Sequence, residues 1–356
     1  MNLNSKIEMQ NSRSSSEICY ENFMIFNSQR AGFTIVELMV TLVILAITLG
    51  AVYTTFIAQQ RSFVTQDQIT ESQTESKIAF NILTKDLRNA GFAYPVYSNP
   101  PTFSGSVVPS ENNNAGRDAL TLVSGSQQVA TLAQPLIIGQ NIISITYTGS
   151  ARFNLTDMAN ISIDGIDFSV ITTCSFIGIG TDCDDNFVLT LNRGMNKPIP
   201  AGRPLYALTA STYCIVTDVT DTDNYLDLRR IAGIATLASC SGALPADVER
   251  VAENIEDIQF AYAIDSDADG LVDDQNANGV FDPGDYLTPP LPANSKILAV
   301  RVSILATTGK DDPSIEPSTK PYYSSGITLE NNITDVSNDK QRRNIWSMEV
   351  ALRNPR

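Results

Sequence analysis

The chain has 356 residues, carries a formal net charge of −15 and contains no histidine. The lack of histidine excludes Ser-His-Asp and Cys-His catalysis and every zinc site built from imidazole ligands. The strong negative charge argues against nucleic acid as a partner, because phosphate binding requires clustered lysine and arginine.

A long apolar segment, residues 33–60, lies near the N-terminus. Glu37 is its only charged side chain, and Arg30 and Arg61 flank it. About 20 helical residues span the hydrocarbon core of a bilayer, so the segment predicts a single membrane-spanning helix. A carboxylate at membrane depth is costly unless it is paired, which makes Glu37 a candidate functional residue.

The residues around this glutamate carry a family resemblance. The sequence Arg-Ala-Gly-Phe-Thr-Ile-Val-Glu-Leu-Met-Val, residues 30–40, resembles the N-terminal processing and methylation motif of type IV pilins and type II secretion pseudopilins. The resemblance implies that a prepilin peptidase cuts between Gly32 and Phe33 and that the new terminus of Phe33 is N-methylated. Residues 1–32 would be the leader peptide, or Met24 would be the true start of a shorter leader.

Cleavage would supply a partner for Glu37. The new amine on Phe33 would lie four residues away. Packing into a filament would bury the carboxylate together with this amine or with the N-terminal amine of a neighbouring subunit. Breaking such a buried pair costs about 3–5 kcal/mol. The alternatives are an ordinary membrane anchor with an interfacial glutamate, or a cleaved secretory signal, whose apolar region is typically only about 7–15 residues.

The helix is predicted to continue beyond the membrane. Residues 59–90 contain neither proline nor glycine, and Gly91 supplies a C-terminal stop. Residues 61–90 form the amphipathic half, in which the polar stretch 65–77 leaves the membrane before the helix docks on a head of residues 91–356. The docking residues are expected to be Ile78, Phe80, Ile82, Leu83 and Leu87.

Apolar residues that alternate with polar or small ones predict strands with one apolar face. They are Leu120/Leu122, Phe187/Leu189/Leu191, Ile258/Phe260/Tyr262/Ile264, Val300/Val302/Ile304 and Trp346/Met348/Val350/Leu352. Residues 98–117 and 309–337 are predicted to be loops. The expected fold is therefore α+β and pilin-like: a long N-terminal helix, transmembrane in its first half, packed on an antiparallel β-sheet head.

Two short segments resemble motifs of the PilW-type minor pilins. They are Asp86–Phe92, at the predicted end of the helix, and Glu349–Asn354, near the C-terminus. The length of the chain fits the same group, since major pilins are commonly much shorter.

Four cysteines follow the predicted cut, an even number that favours two disulfides in an exported domain. Three pairings are available, and we prefer Cys174–Cys183 and Cys214–Cys240. Free buried thiols are the alternative.

An acidic loop, residues 265–285, contains seven carboxylates and neither lysine nor arginine. Counted from Asp265, oxygen-bearing side chains stand at positions one, three, five and nine, with glycine at six. The pattern recurs from Asp274 and ends on a carboxylate at position twelve. This spacing suits calcium, which takes six to eight oxygen ligands, and it resembles the EF-hand-like loops of dockerins and thrombospondin type 3 repeats.

The sequence therefore predicts one or two calcium ions, with the second loop the better match. A solvated acidic turn is the alternative, and magnesium fits less well because it demands stricter geometry. The candidate ligands are Asp265, Asp267, Asp269 and Asp273 in the first loop, and Asp274, Asn276, Asn278, Val280 (through its carbonyl), Asp282 and Asp285 in the second.

The resemblance implies a minor pilin of a type IV pilus that acts in assembly, in initiation or at the tip. Its partners would be other major and minor pilins, the prepilin peptidase and the inner-membrane pilus assembly machinery. The chain would cross the bacterial inner membrane once, with its head in the periplasm, and later reach the pilus and cell surface. A type II secretion pseudopilin and a tip adhesin with a calcium-ordered loop are the alternatives. No motif of an enzyme is present, so no catalytic residue is expected.

Overall fold

The computed structural model describes residues 32–97, 105–114, 117–153, 159–175, 188–217, 226–233, 240, 248–311 and 340–354. The chain divides into two compact units between Gln60 and Arg61. One helix, α1 (Ile35–Asn89), runs through this boundary.

In the first unit α1 is apolar and exposed on nearly all sides. Its threonine hydroxyls donate to carbonyls one turn back along the helix, as Thr48 does to Ile44 at 3.0 Å. This bond satisfies the hydroxyl within the helix, which is required where water is absent. Among the described helices, α1 alone is long and apolar enough to cross a membrane.

In the second unit, the part of α1 that follows Arg61 buries a row of residues spaced three or four apart. These residues are Ser72, Ser76, Ala79, Leu83 and Leu87. Two expectations therefore need correction: docking begins inside the polar stretch 65–77, and Ile78 is exposed. Serine permits this early contact because its small side chain lets the helix approach closely, and the Ser76 hydroxyl donates to the Ser72 carbonyl at 2.8 Å.

Nine antiparallel strands form the larger sheet, in the order β1-β2-β3-β6-β5-β4-β7-β8-β9. They are β1 (Val107–Asn114), β2 (Arg117–Leu132), β3 (Ile142–Tyr147), β4 (Asn160–Ile163), β5 (Asp167–Ser175), β6 (Val188–Leu191), β7 (Pro204–Thr217), β8 (Leu226–Ala232) and β9 (Val248–Ala252). Strand β2 also pairs with β7, which closes β2-β3-β6-β5-β4-β7 into a ring. An apolar cluster that includes Leu132, Ile145, Ile161 and Leu189 belongs to this ring.

A separate three-stranded antiparallel sheet contains β10 (Ile255–Asp265), β11 (Lys296–Thr307) and β12 (Arg343–Ala351), in that order. The main core lies between this sheet, the larger sheet and the helix. It joins Leu83 and Leu87 of α1 to Tyr213 of β7, Phe260 of β10 and Val302 of β11.

The α+β, pilin-like expectation is confirmed, but three details of the head were wrong. The described residues of the head form two sheets rather than one. Strand β1 lies inside the predicted loop 98–117. Strand β10 is buried on both faces, because Ala261 and Ala263 pack with Tyr286 beneath the sheet. Phe187 and most of the loop 309–337 lie outside the described residues.

The disulfide Cys214–Cys240 is present and ties β7 to a residue 26 positions later. Cys174 is also disulfide-bonded, while its predicted partner Cys183 lies outside the described residues.

Candidate functional site

The predicted cleavage point lies just before the helix begins. Gly32, Phe33 and Thr34 are exposed and non-helical, and α1 starts at Ile35. The Thr34 hydroxyl accepts a hydrogen bond from the Glu37 backbone N–H at 3.2 Å, and the Thr34 carbonyl accepts one from Leu38 at 3.1 Å. Thr34 is therefore the N-cap residue of α1.

Glu37 lies in the first turn of α1 and its side chain is exposed. Among the described residues, no cation forms a salt bridge with it. An acidic residue in the first turn is favourable because the N-terminus of a helix carries partial positive charge.

The first half of the acidic loop begins where β10 ends. Asp265 is buried, and its two carboxylate oxygens accept from the backbone N–H groups of Ala268 at 2.7 Å and Gly270 at 3.1 Å. The Asp267 carboxylate accepts from the backbone N–H of Asp269, and the Asp269 carboxylate accepts from the backbone N–H of Leu271. These bonds fold the backbone so that alternate side chains turn toward one another.

The second half repeats this hydrogen-bond pattern nine residues later. The side-chain oxygens of Asp274, Asn276 and Asn278 accept from the backbone N–H groups of Gly279, Asn278 and Val280, respectively. These are the same relative positions as in the first half. Backbone conformation repeats as well: φ is positive at Ala268 and Gly270, and again at Ala277 and Gly279. The two halves of the loop therefore share one backbone conformation and one set of hydrogen bonds.

The carboxylates of Asp265, Asp267 and Asp269 converge, with ligand oxygens within 4.8 Å of one another. Opposite ligands of one calcium ion lie about 4.6–5.2 Å apart, twice the usual Ca–O distance, so the donor set fits this ion. The sequence favoured the second loop, where the Asn276 and Asn278 amides instead donate to Asp282. Asp273 accepts from Ser266 and stands outside the converging group.

The exit of the loop is fixed to the three-stranded sheet. Asp285 is buried and accepts from the backbone of Gln275 at 2.9 Å and of Asp282 at 2.8 Å. Arg301 of β11 donates to the Pro283 carbonyl at 3.0 Å and lies 4.5 Å over the Tyr286 ring. Burial, and then the neighbouring Glu349, raise the pKa of Tyr286. The exit of the loop is therefore in contact with β11 through Arg301 and with β12 through Glu349.

The two short segments that resemble PilW-type motifs meet at the end of α1. A Cβ built on Gly91 would collide with the carbonyl oxygen of Asn354. In the same region the Tyr213 hydroxyl donates to Asp86 at 2.6 Å, and Arg230 pairs with Asp86 at 3.3 Å. Residues far apart in the sequence thus fix the helix end to the head.

Two family models match the chain. Residues 27–53 match the prokaryotic N-terminal methylation motif, a range that contains the predicted cut and Glu37. Residues 212–354 match type IV pilus-assembly protein W, a range that runs from β7 to the C-terminal segment and includes the acidic loop. Together, the two matches are those of a PilW-type prepilin-like protein.

No curated protein and no solved structure matches the chain in the comparisons. The second of the two family models describes a pilus-assembly protein, and the first describes an N-terminal methylation motif. The Asp86–Phe92 segment lies outside both matched ranges, although its contact Asn354 lies within the PilW match.

Sequence reasoning missed the N-cap at Thr34, although the signal was present. Threonine followed three residues later by glutamate, at the start of an apolar run, is a capping-box spacing. It also missed the buried acidic pair Asp118 and Asp257, for which a strand pattern gives no signal.

Proposed function

We propose that the chain is a minor pilin of a type IV pilus, processed after Gly32 and built into the filament at its tip or during its initiation. The observation that carries the proposal is the presence in one chain of a methylation motif at the start of an apolar helix and a PilW match on the head. A plain membrane anchor accounts for the first feature but not for the second.

Glu37 is the assembly residue in this proposal. The cut leaves an amine on Phe33, and lateral packing of α1 against other pilin helices removes both charges from water. Pairing the carboxylate with this amine, or with that of a neighbouring subunit, avoids a cost of about 3–5 kcal/mol. The exposed apolar side chains of the first unit, such as Leu42 and Ile47, supply the surface that packs against neighbouring helices.

The membrane topology follows from the same segment. A single helix holds the precursor in the inner membrane with the head in the periplasm, where disulfides such as Cys214–Cys240 form. The partners are the prepilin peptidase, the inner-membrane assembly machinery and other major and minor pilins. The processed chain leaves the membrane with the filament and reaches the cell surface.

We further propose that calcium orders the acidic loop. Asp265, Asp267 and Asp269 would hold the ion, with the Leu271 carbonyl at position seven as a further oxygen ligand. The ion would neutralise carboxylates that otherwise repel one another. A second ion in the loop that begins at Asp274 would share the same architecture, with Asn276, Asn278, Val280, Asp282 and Asp285 at the matching positions.

The alternative is a pseudopilin of a type II secretion system, which shares the methylation motif. The PilW match favours the pilus. Deletion of the gene separates the two: the proposal predicts loss of surface pili with normal protein secretion. A secretion defect with normal pili would select the pseudopilin. Re-expression of the wild-type chain must restore the lost phenotype.

A further inference from the structure

The backbone around the predicted cut changes from irregular to helical within three residues. The peptide bond between Gly32 and Phe33 lies in exposed, non-helical chain, and α1 begins at Ile35. The Thr34 hydroxyl accepts from the Glu37 N–H at 3.2 Å, and the first helical turn closes on the Thr34 carbonyl. One side chain, that of Thr34, therefore defines where the helix starts.

The position of this boundary matters for hydrolysis. In the cleavage step water adds to the Gly32 carbonyl carbon and the bond to the Phe33 nitrogen breaks. Gly32 keeps the carboxylate, and Phe33 leaves as an amine that takes up the proton. If the helix began two residues earlier, the Gly32 carbonyl would accept a helical hydrogen bond from Val36 and the scissile peptide would be fixed in the first turn.

The residues before Thr34 offer little resistance to such an extension. Glycine is itself an acceptable N-cap residue, so Gly32 could start the helix if position 34 became an ordinary helical residue. Nothing lies within 4 Å of a Cβ built on Gly32, so packing against other described residues does not hold this segment open. The hydrogen bond to the Thr34 hydroxyl is the described contact that marks the start of the helix.

We propose that Thr34 is a positioning residue for the processing of this chain: its N-cap keeps the Gly32–Phe33 peptide outside α1 and so presents it to the membrane peptidase. This inference rests on the proposed function, in which the chain is cut after Gly32. It concerns how the substrate is displayed, rather than a residue of the peptidase.

The test compares cleavage rates of the full-length chain in membranes that contain the prepilin peptidase. Thr34→Val keeps the shape of the side chain and removes its hydroxyl, Thr34→Ala favours helix, and Thr34→Ser preserves the cap. Thr41→Ala is the matched control, because the Thr41 hydroxyl bonds to the Leu38 carbonyl inside the same helix. Mass spectrometry reports the initial rate of appearance of the mature chain and its N-terminus.

Cleavage of Thr34→Val and Thr34→Ala is expected to slow by roughly 2- to 30-fold, the effect that loss of an N-cap has on a helix equilibrium. Thr34→Ser and Thr41→Ala should be cut at the wild-type rate. In the slow variants, the Val36 amide should also exchange its hydrogen more slowly than in wild type, because it would donate to the Gly32 carbonyl in the extended helix.

The remaining outcomes overturn the inference in distinguishable ways. A wild-type rate for Thr34→Val rejects the role of the cap while the proposed function stands. A rate for Thr34→Ser as low as that for Thr34→Val shows that the peptidase requires threonine itself, which also rejects the cap. A wild-type chain that is not cut after Gly32 rejects the proposed function.

Discussion

The backbone carbonyl of Asn354 occupies the space in which a side chain on Gly91 would begin. Gly91 has a positive φ of 77° and ends α1, and its N–H donates to the Val123 carbonyl at 2.9 Å. Asn354 follows Leu352, whose N–H donates to Leu298. The helix end, the larger sheet and the C-terminal segment are therefore joined at one glycine.

Gly91→Ala should destabilise the protein strongly, because a methyl group both strains the backbone and forces Asn354 to move. We expect a loss on the order of 3 kcal/mol or more in the free energy of unfolding. Gly202→Ala is the matched control: Gly202 has a similar φ of 81°, but no atom lies within 4 Å of its built Cβ. Equal losses in denaturant unfolding of the two variants would show that Asn354 contributes nothing.

Two buried carboxyl groups, those of Asp257 and Asp118, lie where strand β10 of the smaller sheet meets strand β2 of the larger one. Asp257 of β10 is 1 % exposed and accepts from the Gln259 side chain at 3.1 Å, and Asp118 of β2 accepts from the Phe260 N–H at 3.0 Å. Burial raises the pKa of Asp257 to about 7, with Asp118 adding to the rise, while Gln259 and Arg117 oppose it. The protonated form is therefore favoured in the folded state.

This shift predicts a pH dependence of stability. The unfolded pKa of Asp257 is 3.8, so its stabilising contribution is complete below about pH 4 and is lost as the pH rises through about 7. The difference between these two pKa values corresponds to on the order of 4 kcal/mol. Asp257→Asn should remove this dependence. The free energy of unfolding of the variant minus that of the wild type should therefore be larger at pH 8 than at pH 5.

Denaturant unfolding at both pH values measures the difference. Asp67→Asn, at an exposed position on α1, is the control and should follow the wild type. If the stability of Asp257→Asn depended on pH in the same way as that of the wild type, the buried carboxyl would not control the pH dependence.

Calcium should raise the melting temperature of the protein purified in detergent. Binding at about 100 times Kd contributes about 2.7 kcal/mol, or roughly 5–10 °C for a domain of this size. Asp267→Ala should reduce the rise, because Asp267 belongs to the converging carboxylates. Asp274→Ala tests the second loop separately, so a partial loss in each variant would indicate two ions.

The comparison is made between added calcium and added chelator for each variant. Asp67→Ala, outside the loop, should respond like the wild type. A melting temperature that does not respond to calcium in the wild-type protein would remove the metal proposal and leave a solvated acidic turn.

Glu37→Gln should be processed but should enter filaments poorly. The substitution keeps the shape and the backbone N–H that Thr34 caps, and removes only the charge that pairs with the new amine. Loss of a buried pair of about 3–5 kcal/mol predicts a decrease of more than about tenfold in the amount recovered in sheared pili. Glu71→Gln, exposed on the same helix, should be incorporated normally; equal incorporation of both variants contradicts the pairing account.

Much of the architecture could be predicted because it follows from local patterns. The apolar run, the absence of proline and the stop at Gly91 predicted α1 to within a few residues. Alternation located the cores of β2, β10, β11 and β12. The tandem spacing of the acidic loop was visible in the sequence, whereas the hydrogen bonds that repeat between its halves were found only in the structure.

The remaining features depend on contacts between distant residues. Strand β1 lies in a segment rich in turn formers, and its pairing of Val107 with Leu122 fixes it as a strand. Ser72 and Ser76 are buried because they are small, which a hydrophobic pattern does not register. Asp257 and Gln259 alternate with the apolar residues of β10 like solvent-facing residues, yet both are buried.

The most direct test of the whole account is the chemical identity of the mature N-terminus. The protein is isolated from membranes and from sheared pili, and its N-terminal peptide is analysed by tandem mass spectrometry. The account predicts a chain that starts at Phe33 and carries one methyl group on its amino nitrogen. A retained leader, a cut elsewhere or an unmethylated terminus in both fractions would contradict it.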